Sequence, residues 1–190
     1  MNLMRKNIIY LAGCLMLLSA CNNSKYDLEN LVPQEYHKIL YVNNSGKQEM
    51  TLYDTGEDYT YTLSVIKTGS DPTLTANAQI NVLSQEEVDQ LYSNPEAVNY
   101  KVLSEESFSL ETADLVFTSE DHSKSVNVSV NSTKVKALIE SNPEAKWVLP
   151  LRVTSQTDSV NAAKNELFLH KVFALVAQSV DAKPATVHKD

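Results

Sequence analysis

Short runs of alternating apolar and polar residues recur along most of the chain. In the clearest run, Tyr59, Leu63 and Val65 fall on one side, and threonine and serine residues alternate with them. Successive side chains of a β-strand point to opposite faces, so this alternation predicts a strand buried on one face. Similar runs predict strands at residues 39–42, 48–53, 59–66, 78–83, 100–103, 108–110, 115–117, 125–130, 147–154 and 167–176. Turn residues separate many of them, beginning with Asn43-Asn44-Ser45-Gly46.

Two segments have helical spacing instead. Ser84 and Glu87 form a capping box, and apolar residues follow them at intervals of three and four. A second helix carries its apolar positions after residue 134, with either Ser132 or Thr133 as its cap. An Asn-Pro step follows each segment, at residues 94–95 and 142–143, and predicts where each helix ends.

The complete pattern predicts a mainly β fold, an antiparallel β-sandwich with two short helical connections across its ends. Strands do not alternate regularly with helices, which argues against a parallel α/β sheet. Pro150 lies inside the run 147–154 and cannot donate a ladder hydrogen bond, so we expect a sheet edge or a bulge there. The pattern shows neither an internal repeat nor a second domain.

The first residues differ in composition from this domain. A basic start precedes the apolar run 8–18, and small residues precede Cys21. This order is typical of a secretory signal peptide, and the run is about half of the roughly 20 residues that a membrane-spanning helix needs. Leu18-Ser19-Ala20-Cys21 also fits the bacterial lipobox, which predicts cleavage after residue 20 and a lipid on Cys21. A plain signal peptide with an accidental cysteine is the alternative.

These features predict that the chain is divided into four segments. Residues 1–20 are the signal peptide, 21–35 the lipidated cysteine and a polar tether, 36–177 the sandwich domain, and 178–190 a polar tail. Lipid chains on Cys21 would hold the protein to the outer membrane without crossing it. The tether, with Lys25, Asp27 and Glu29, resembles that of surface-exported lipoproteins of Bacteroidetes. We therefore expect the protein to face the cell surface, with a periplasm-facing lipoprotein as the alternative.

Composition and charge exclude several classes of protein. The 190 residues carry a net charge of −8 and are 43% hydrophobic. An acidic chain lacks the basic face that nucleic acids require, and this apolar content argues against disorder. Two cysteines cannot build a disulfide framework. Since one cysteine is Cys21 and the other lies in the predicted signal peptide, the folded part has no thiol.

The sequence has no constellation typical of catalysis or of a metal site. Its carboxylate pairs are neighbours in sequence, such as Glu105-Glu106, and do not face each other across a substrate. It has no glycine-rich phosphate loop and no nucleophile elbow. The four histidines are far apart: His37, His122, His170 and His188. We therefore expect no enzymatic activity, no cofactor and no metal.

Aromatic residues are the positive indication of a ligand. Tyrosine and tryptophan rings stack on sugar faces and also offer polar tips. Tyr59, Tyr61 and Trp147 lie in strand-like runs, and we expect them in the core. The predicted exposed platform for a glycan consists of Tyr53, Tyr92 and Tyr100.

Several segments resemble the N-terminal domain of Bacteroidetes surface lipoproteins, the adhesin-like or glycan-utilisation family long regarded as a domain of unknown function. The most specific segment is Trp147-Val148-Leu149-Pro150-Leu151-Arg152-Val153, which resembles the family's aromatic-Val-Leu-Pro-hydrophobic strand. The resemblance extends over nearly all of residues 28–177, with further matches at 59–65, 85–92, 99–103 and 126–130. It implies an immunoglobulin-like sandwich and a place in glycan-foraging systems. Such domains precede lectin-like, coagulation-factor-like or glycoside-hydrolase domains, whereas only a short tail follows here.

Together these observations predict a lipid-anchored, non-catalytic cell-envelope module that is accessory to glycan capture. The alternative is a structural spacer or adhesin-like interaction module without a glycan site. The expected partners are the membrane, through Cys21, and a glycan or other envelope proteins, but no nucleic acid. Asp158-Ser159-Val160 resembles the Bacteroidetes O-glycosylation motif and predicts a sugar on Ser159, with chance occurrence as the alternative.

Overall fold

The computed structural model describes residues 31–53, 56–92 and 99–173, without the side chains of residues 171–173. The predicted signal peptide, Cys21 and the polar tail lie outside the described residues. Two β-sheets and two helices account for most of the described chain. The helices are α1 (Gln85–Tyr92) and α2 (Ser132–Ser141). The strands are β1 (Ile39–Val42), β2 (Gly46–Leu52), β3 (Tyr59–Thr68), β4 (Ala76–Val82), β5 (Tyr100–Val102), β6 (Phe108–Leu110), β7 (Asp114–Phe117), β8 (Ser123–Val130), β9 (Lys146–Thr154), β10 (Ser159–Val160) and β11 (Glu166–Phe173).

The two sheets form the predicted sandwich. The first sheet has the order β10-β1-β3-β8-β6, and the second has the order β2-β11-β9-β4-β7 with β5 also paired to β9. Most neighbours are antiparallel, as predicted. Three pairs are parallel, namely β1 with β10, β2 with β11 and β5 with β9.

The core lies between the sheets and follows the alternation read from the sequence. Leu63 of β3 is in register with Val126 of β8, and both side chains are buried. Leu149 of β9 and Leu169 of β11 form a register pair in the second sheet and are also buried. The polar residues between them face away from the core, because neighbouring side chains of a strand point to opposite faces.

The predicted turn between the first two strands carries the chain from one sheet to the other. β1 pairs with β3 in the first sheet, whereas β2 pairs with β11 in the second. Asn44 has φ 57° and Gly46 has φ 93°, which is the left-handed region that glycine and asparagine tolerate best. The prediction of a turn at residues 43–46 is confirmed.

The expectation of an edge or a bulge at Pro150 is wrong. Pro150 is buried in β9, the middle strand of the second sheet. Its carbonyl accepts from the Leu83 N–H, so its nitrogen also faces the side of β4 and β5. On that side β9 pairs with β4 from Leu151 onward and with β5 up to Val148. The proline therefore occupies the gap between two partner strands, where the ladder does not need its missing N–H.

The capping box of α1 is confirmed. The Glu87 N–H donates to Ser84 Oγ at 3.2 Å, and the Ser84 N–H donates to Glu87 Oε2 at 2.9 Å. The predicted stop of this helix at residues 94–95 lies outside the described residues.

The predicted caps of α2, Ser132 or Thr133, are wrong, because Asn131 caps this helix. Its Oδ1 accepts from the Lys134 N–H at 2.9 Å. The Ser132 hydroxyl instead donates to the Glu57 carbonyl at 2.6 Å. The helix ends at Ser141, before the Asn-Pro step, as predicted.

Candidate functional site

A cleft of about 450 Å³ opens where β5 and β9 begin. We term it the lysine cleft. Its described lining residues come from β2, β5, β9, β11, the end of α2 and the loop after α2: Lys47, Tyr100, Ile139, Pro143, Ala145, Lys146, Trp147 and His170. This volume is within the range of small-molecule binding sites in proteins.

Strand pairing brings these residues together. The parallel pairing of β5 with β9 sets Tyr100 beside Lys146. The register of β2 with β11 sets Lys47 beside Phe168, two residues before His170. The cleft therefore depends on four strands, of which β2 and β5 are distant in sequence from β9 and β11.

Aromatic contacts hold Tyr100 and Lys47 in place. The Tyr100 ring meets Phe168 edge-on, with 5.2 Å between the ring centroids. The Lys47 ammonium donates to the Tyr100 hydroxyl at 3.2 Å. It also lies 5.4 Å from the centroid of Tyr100 and 5.9 Å from that of Phe168, within the range of cation–π attraction.

Trp147 belongs both to the core and to the cleft. Its side chain is partly buried and packs against the core, as the sequence predicts, while it also lines the lysine cleft. Its indole Nε1 is buried and has no hydrogen-bond partner among the described residues. Buried indole N–H groups usually find a partner, so this group is an exception to ordinary packing.

The structure places the three predicted platform tyrosines in different surroundings. Tyr100 lines the cleft. Tyr92, on α1, contacts the same Phe168 ring, with 4.4 Å between the ring centroids. Tyr53 is 48% exposed and follows the far end of β2, about 20 Å along the strand from Lys47 at ~3.3 Å per residue. Tyr92 and Tyr100 thus share one cluster, and Tyr53 lies apart from it.

The Tyr92 hydroxyl takes part in an ionic network on the second sheet. It donates to the Glu166 carboxylate, which also accepts from Arg152 Nε at 2.8 Å. Arg152 Nη1 reaches Glu87 of α1 at 3.0 Å. Burial, and then the bond to Glu166, raise the pKa of Tyr92. The network attaches α1 to the sheet, which is a structural role.

A second cleft of about 750 Å³ lies near the other end of β9. We term it the aspartate cleft. Its described lining residues are Gln34, Glu35, His37, Lys38, Asp71, Leu74, Gln156, Thr157, Asp158 and Ser159. Here Lys38 forms an ion pair with Asp158, whose side chain is fully buried. The Asn77 N–H also donates to this carboxylate, at 2.8 Å.

The predicted O-glycosylation motif forms part of the aspartate cleft. Ser159 starts β10, a short strand that sequence reasoning missed, and its side chain is half-buried. Asp158, the first residue of the motif, uses its carboxylate to hold Lys38 and Asn77. Modification of Ser159 stays a prediction.

Metal ligands and membrane-spanning helices can both be checked over the described residues. Within residues 31–53, 56–92 and 99–173, no group of three or more His, Cys, Asp or Glu side chains is arranged to hold a metal ion. Over the same ranges, no helix is long and apolar enough to cross a membrane.

Sequence reasoning did not assign Lys47, Lys146 and His170 to a site. His170 was noted only as one of four histidines that are far apart in the sequence, and neither lysine was singled out. Lys146 is adjacent to Trp147, but only the register of β5 and β2 shows which other side chains join them.

The model of a family of N-terminal domains (“-like, N-terminal domain”) matches residues 22–160. The chain belongs to this family. The match, with similar structures from Bacteroides, confirms the resemblance to the N-terminal domain of Bacteroidetes surface proteins. No curated protein matches the chain.

Solved structures share the fold at low sequence identity. One is a candidate carbohydrate-binding protein from Bacteroides ovatus ATCC 8483, with TM-score 0.53 and 17% identity, covering 70% of this chain and 36% of that one. Another, a Bacteroides ovatus protein of unknown function, has TM-score 0.54 and 13% identity, with coverages of 75% and 47%. A two-domain protein of unknown function from Bacteroides fragilis NCTC 9343 has TM-score 0.53 and 10% identity, with coverages of 81% and 52%. The chain thus spans about a third to a half of these proteins.

Proposed function

We propose that this chain is a lipid-anchored, non-catalytic module of the cell envelope that captures glycans in the lysine cleft. The observation that carries the proposal is the cleft itself, which combines aromatic rings with hydrogen-bond donors at one end of the sandwich. The anchor is a lipid on Cys21, and the expected setting is the outer membrane facing the cell surface.

The chemistry of the cleft suits a sugar. A sugar ring has an apolar face that packs on aromatic rings and hydroxyl groups that need polar partners. Tyr100 and Trp147 supply rings, while Lys47, Lys146 and His170 supply polar groups that can donate. Pockets that combine apolar walls with a few fixed polar groups are typical of small-molecule sites.

The comparisons support the setting. One similar structure is that of a candidate carbohydrate-binding protein, which shares the fold of this chain at 17% sequence identity. The family match begins at residue 22, directly after Cys21, as expected for a domain that follows a cleaved lipoprotein signal.

A glycan array on the full-length chain in detergent micelles tests the proposal. We expect binding to at least one glycan and about tenfold weaker binding for Tyr100→Ala, because a stacked sugar loses roughly 1–2 kcal/mol of aromatic contact. Tyr53→Ala is the matched control, since Tyr53 is exposed and lies at the other end of β2. Loss of binding in Tyr53→Ala but not in Tyr100→Ala would place the site outside the cleft.

The anchor has its own test. Cys21→Ala should move the protein from the membrane fraction to the soluble fraction, because the variant cannot carry the lipid chains. Unchanged membrane retention would contradict the lipid assignment. Protease treatment of intact cells distinguishes the two orientations, since only a surface-facing protein is cleaved.

A structural spacer or interaction module is the second candidate. It is favoured by β7, which ends the strand order of the second sheet and carries Val116 with 65% of its surface exposed. An exposed sheet edge can pair with a strand of another protein. An array without any glycan binding would favour this candidate.

A further inference from the structure

The charge of the lysine cleft differs from that of the whole chain. The protein has a net charge of −8, with 24 acidic and 16 basic residues. The described residues that line the lysine cleft nevertheless include Lys47, Lys146 and His170 and no aspartate or glutamate. An acidic protein therefore presents a locally basic cleft.

These three basic side chains form no ion pair within the described part of the chain. Other lysines do have one: Lys38 pairs with Asp158, Lys124 with Asp121, and Lys134 with Glu106. Over residues 31–53, 56–92 and 99–173, no carboxylate forms an ion pair with Lys47, Lys146 or His170.

Two described acidic residues adjoin the lining residues in the chain or in the sheet. Glu49 of β2 is in register with His170, and Glu144 follows Pro143. Neither is among the described lining residues. The Lys47 ammonium is held against the rings of Tyr100 and Phe168 and is not neutralised there.

We propose that the lysine cleft selects anionic glycans, in which a carboxylate or a sulfate group is met by Lys47 and Lys146 while the sugar ring contacts Tyr100. This inference rests on the proposed function and narrows its ligand class. Charge-assisted hydrogen bonds from an ammonium to an oxyanion are stronger than those to a neutral hydroxyl. The rest of this acidic surface repels an anion, so the cleft is where one would be held.

Paired polysaccharides that differ in charge test the inference on the full-length chain in detergent micelles. Polygalacturonate and its fully methyl-esterified form share one backbone, and only the first carries carboxylates. Dextran sulfate and dextran form the corresponding pair for sulfate. We expect at least one anionic member to bind about tenfold more tightly than its neutral counterpart, as for a charge-assisted hydrogen bond gained. That preference should weaken as salt is added, because exposed charges are screened.

Lysine variants distinguish binding in the lysine cleft from general electrostatic attraction to the protein surface. Lys47→Met and Lys146→Met remove the charge and keep an apolar stem, so each should weaken binding of the preferred anionic glycan about tenfold. Lys134→Met is the matched control, because Lys134 is exposed and lies outside the cleft. Circular dichroism and thermal unfolding check that all three variants are folded.

The outcomes distinguish this inference from the proposed function. Equal binding of the charged and neutral members would overturn the inference and leave glycan capture standing. Equal losses in Lys134→Met and Lys47→Met would also overturn it, because the attraction would then be general. If neither these four polysaccharides nor the glycans of the array bind, glycan capture itself fails, and the selectivity fails with it.

Discussion

The two clefts near opposite ends of β9 are both lined by lysine and histidine, but carboxylates line only the aspartate cleft among the described residues. In the aspartate cleft, Lys38 is paired with the buried Asp158. In the lysine cleft, Lys47 and Lys146 have no paired carboxylate among the described residues. The nine residues of β9 separate the two ends by about 26 Å at ~3.3 Å per residue.

The difference separates charges that hold the fold together from charges that are open to a ligand. Asp158 connects Lys38, which precedes β1, with Asn77 of β4, and so joins an element of each sheet. A buried carboxylate satisfied in this way has little capacity left for a ligand. Lys47 lies at the surface against aromatic rings, where an anion can still reach it.

Removing the buried carboxylate should have the largest effect on stability. We expect Asp158→Ala to lower the free energy of unfolding by about 3 kcal/mol, because Lys38 loses its counterion and the Asn77 N–H loses its acceptor. Urea denaturation measures the loss. Glycan binding at the lysine cleft should be unchanged in the folded variant. A loss of binding with no loss of stability would reverse the roles of the two clefts.

Acid should also lower the stability of the fold, because it protonates Asp158. Burial alone would raise the pKa of Asp158, but the bonds from Lys38 and Asn77 outweigh burial and hold it below its usual value. An unfolded aspartate has a pKa of about 3.9, so this stabilisation is complete above that pH and is lost as the pH falls through the lower folded pKa.

Thermal unfolding between about pH 5 and pH 2 measures the effect. The wild-type protein should lose more stability over this interval than Asp158→Asn, which cannot titrate at this position. Asp121 titrates in both proteins, since hydrogen bonds from Thr118 lower its pKa to about 2. Parallel curves for the two proteins would show that Asp158 contributes no acid sensitivity.

The sandwich could be predicted because its signals are local. The alternation in β3 and the capping box of α1 are each contained in a short stretch of sequence, and the structure confirms both. Pro150 was misjudged, because the gap between β4 and β5 that accommodates it depends on pairing between distant segments.

The lysine cleft could not be assembled from the sequence for the same reason. Tyr100 was singled out as an aromatic residue, but its contact with Lys47 follows from the positions of β2, β5, β9 and β11. Asp158 was noticed only as part of a modification motif. Its burial becomes visible once β1, β4 and β10 are placed in the two sheets.

A smaller loss of stability is expected on removing the Tyr92 hydroxyl, which, unlike Tyr100, we do not place in the glycan site. Tyr92→Phe keeps the ring contact with Phe168 and removes the hydroxyl that donates to Glu166. We expect it to lower the free energy of unfolding by about 1–2 kcal/mol and to leave glycan affinity unchanged. Calorimetry of unfolding and of binding on the same samples checks both parts. Weaker binding in Tyr92→Phe would include Tyr92 in the binding site.

The smallest stability effect is expected at Trp147. Trp147→Phe removes some packed surface, but it also removes a buried N–H that has no described partner. The two contributions have opposite signs, so we expect the free energy of unfolding to change by less than about 1 kcal/mol. Urea denaturation followed by circular dichroism measures this change in the free energy of unfolding. A much larger loss would show that this N–H is satisfied in the folded protein.

Trp147 also provides the most direct test of the lysine cleft as the glycan site. It is the only tryptophan in the chain and lines this cleft, so tryptophan fluorescence of the full-length protein reports on it. During titration with the anionic polysaccharide that binds more tightly, polygalacturonate or dextran sulfate, we expect a saturable change in emission, with a midpoint shifted about tenfold to higher concentration in Lys47→Met. Calorimetric binding of a glycan without any change in Trp147 emission would place the site elsewhere and contradict the assignment.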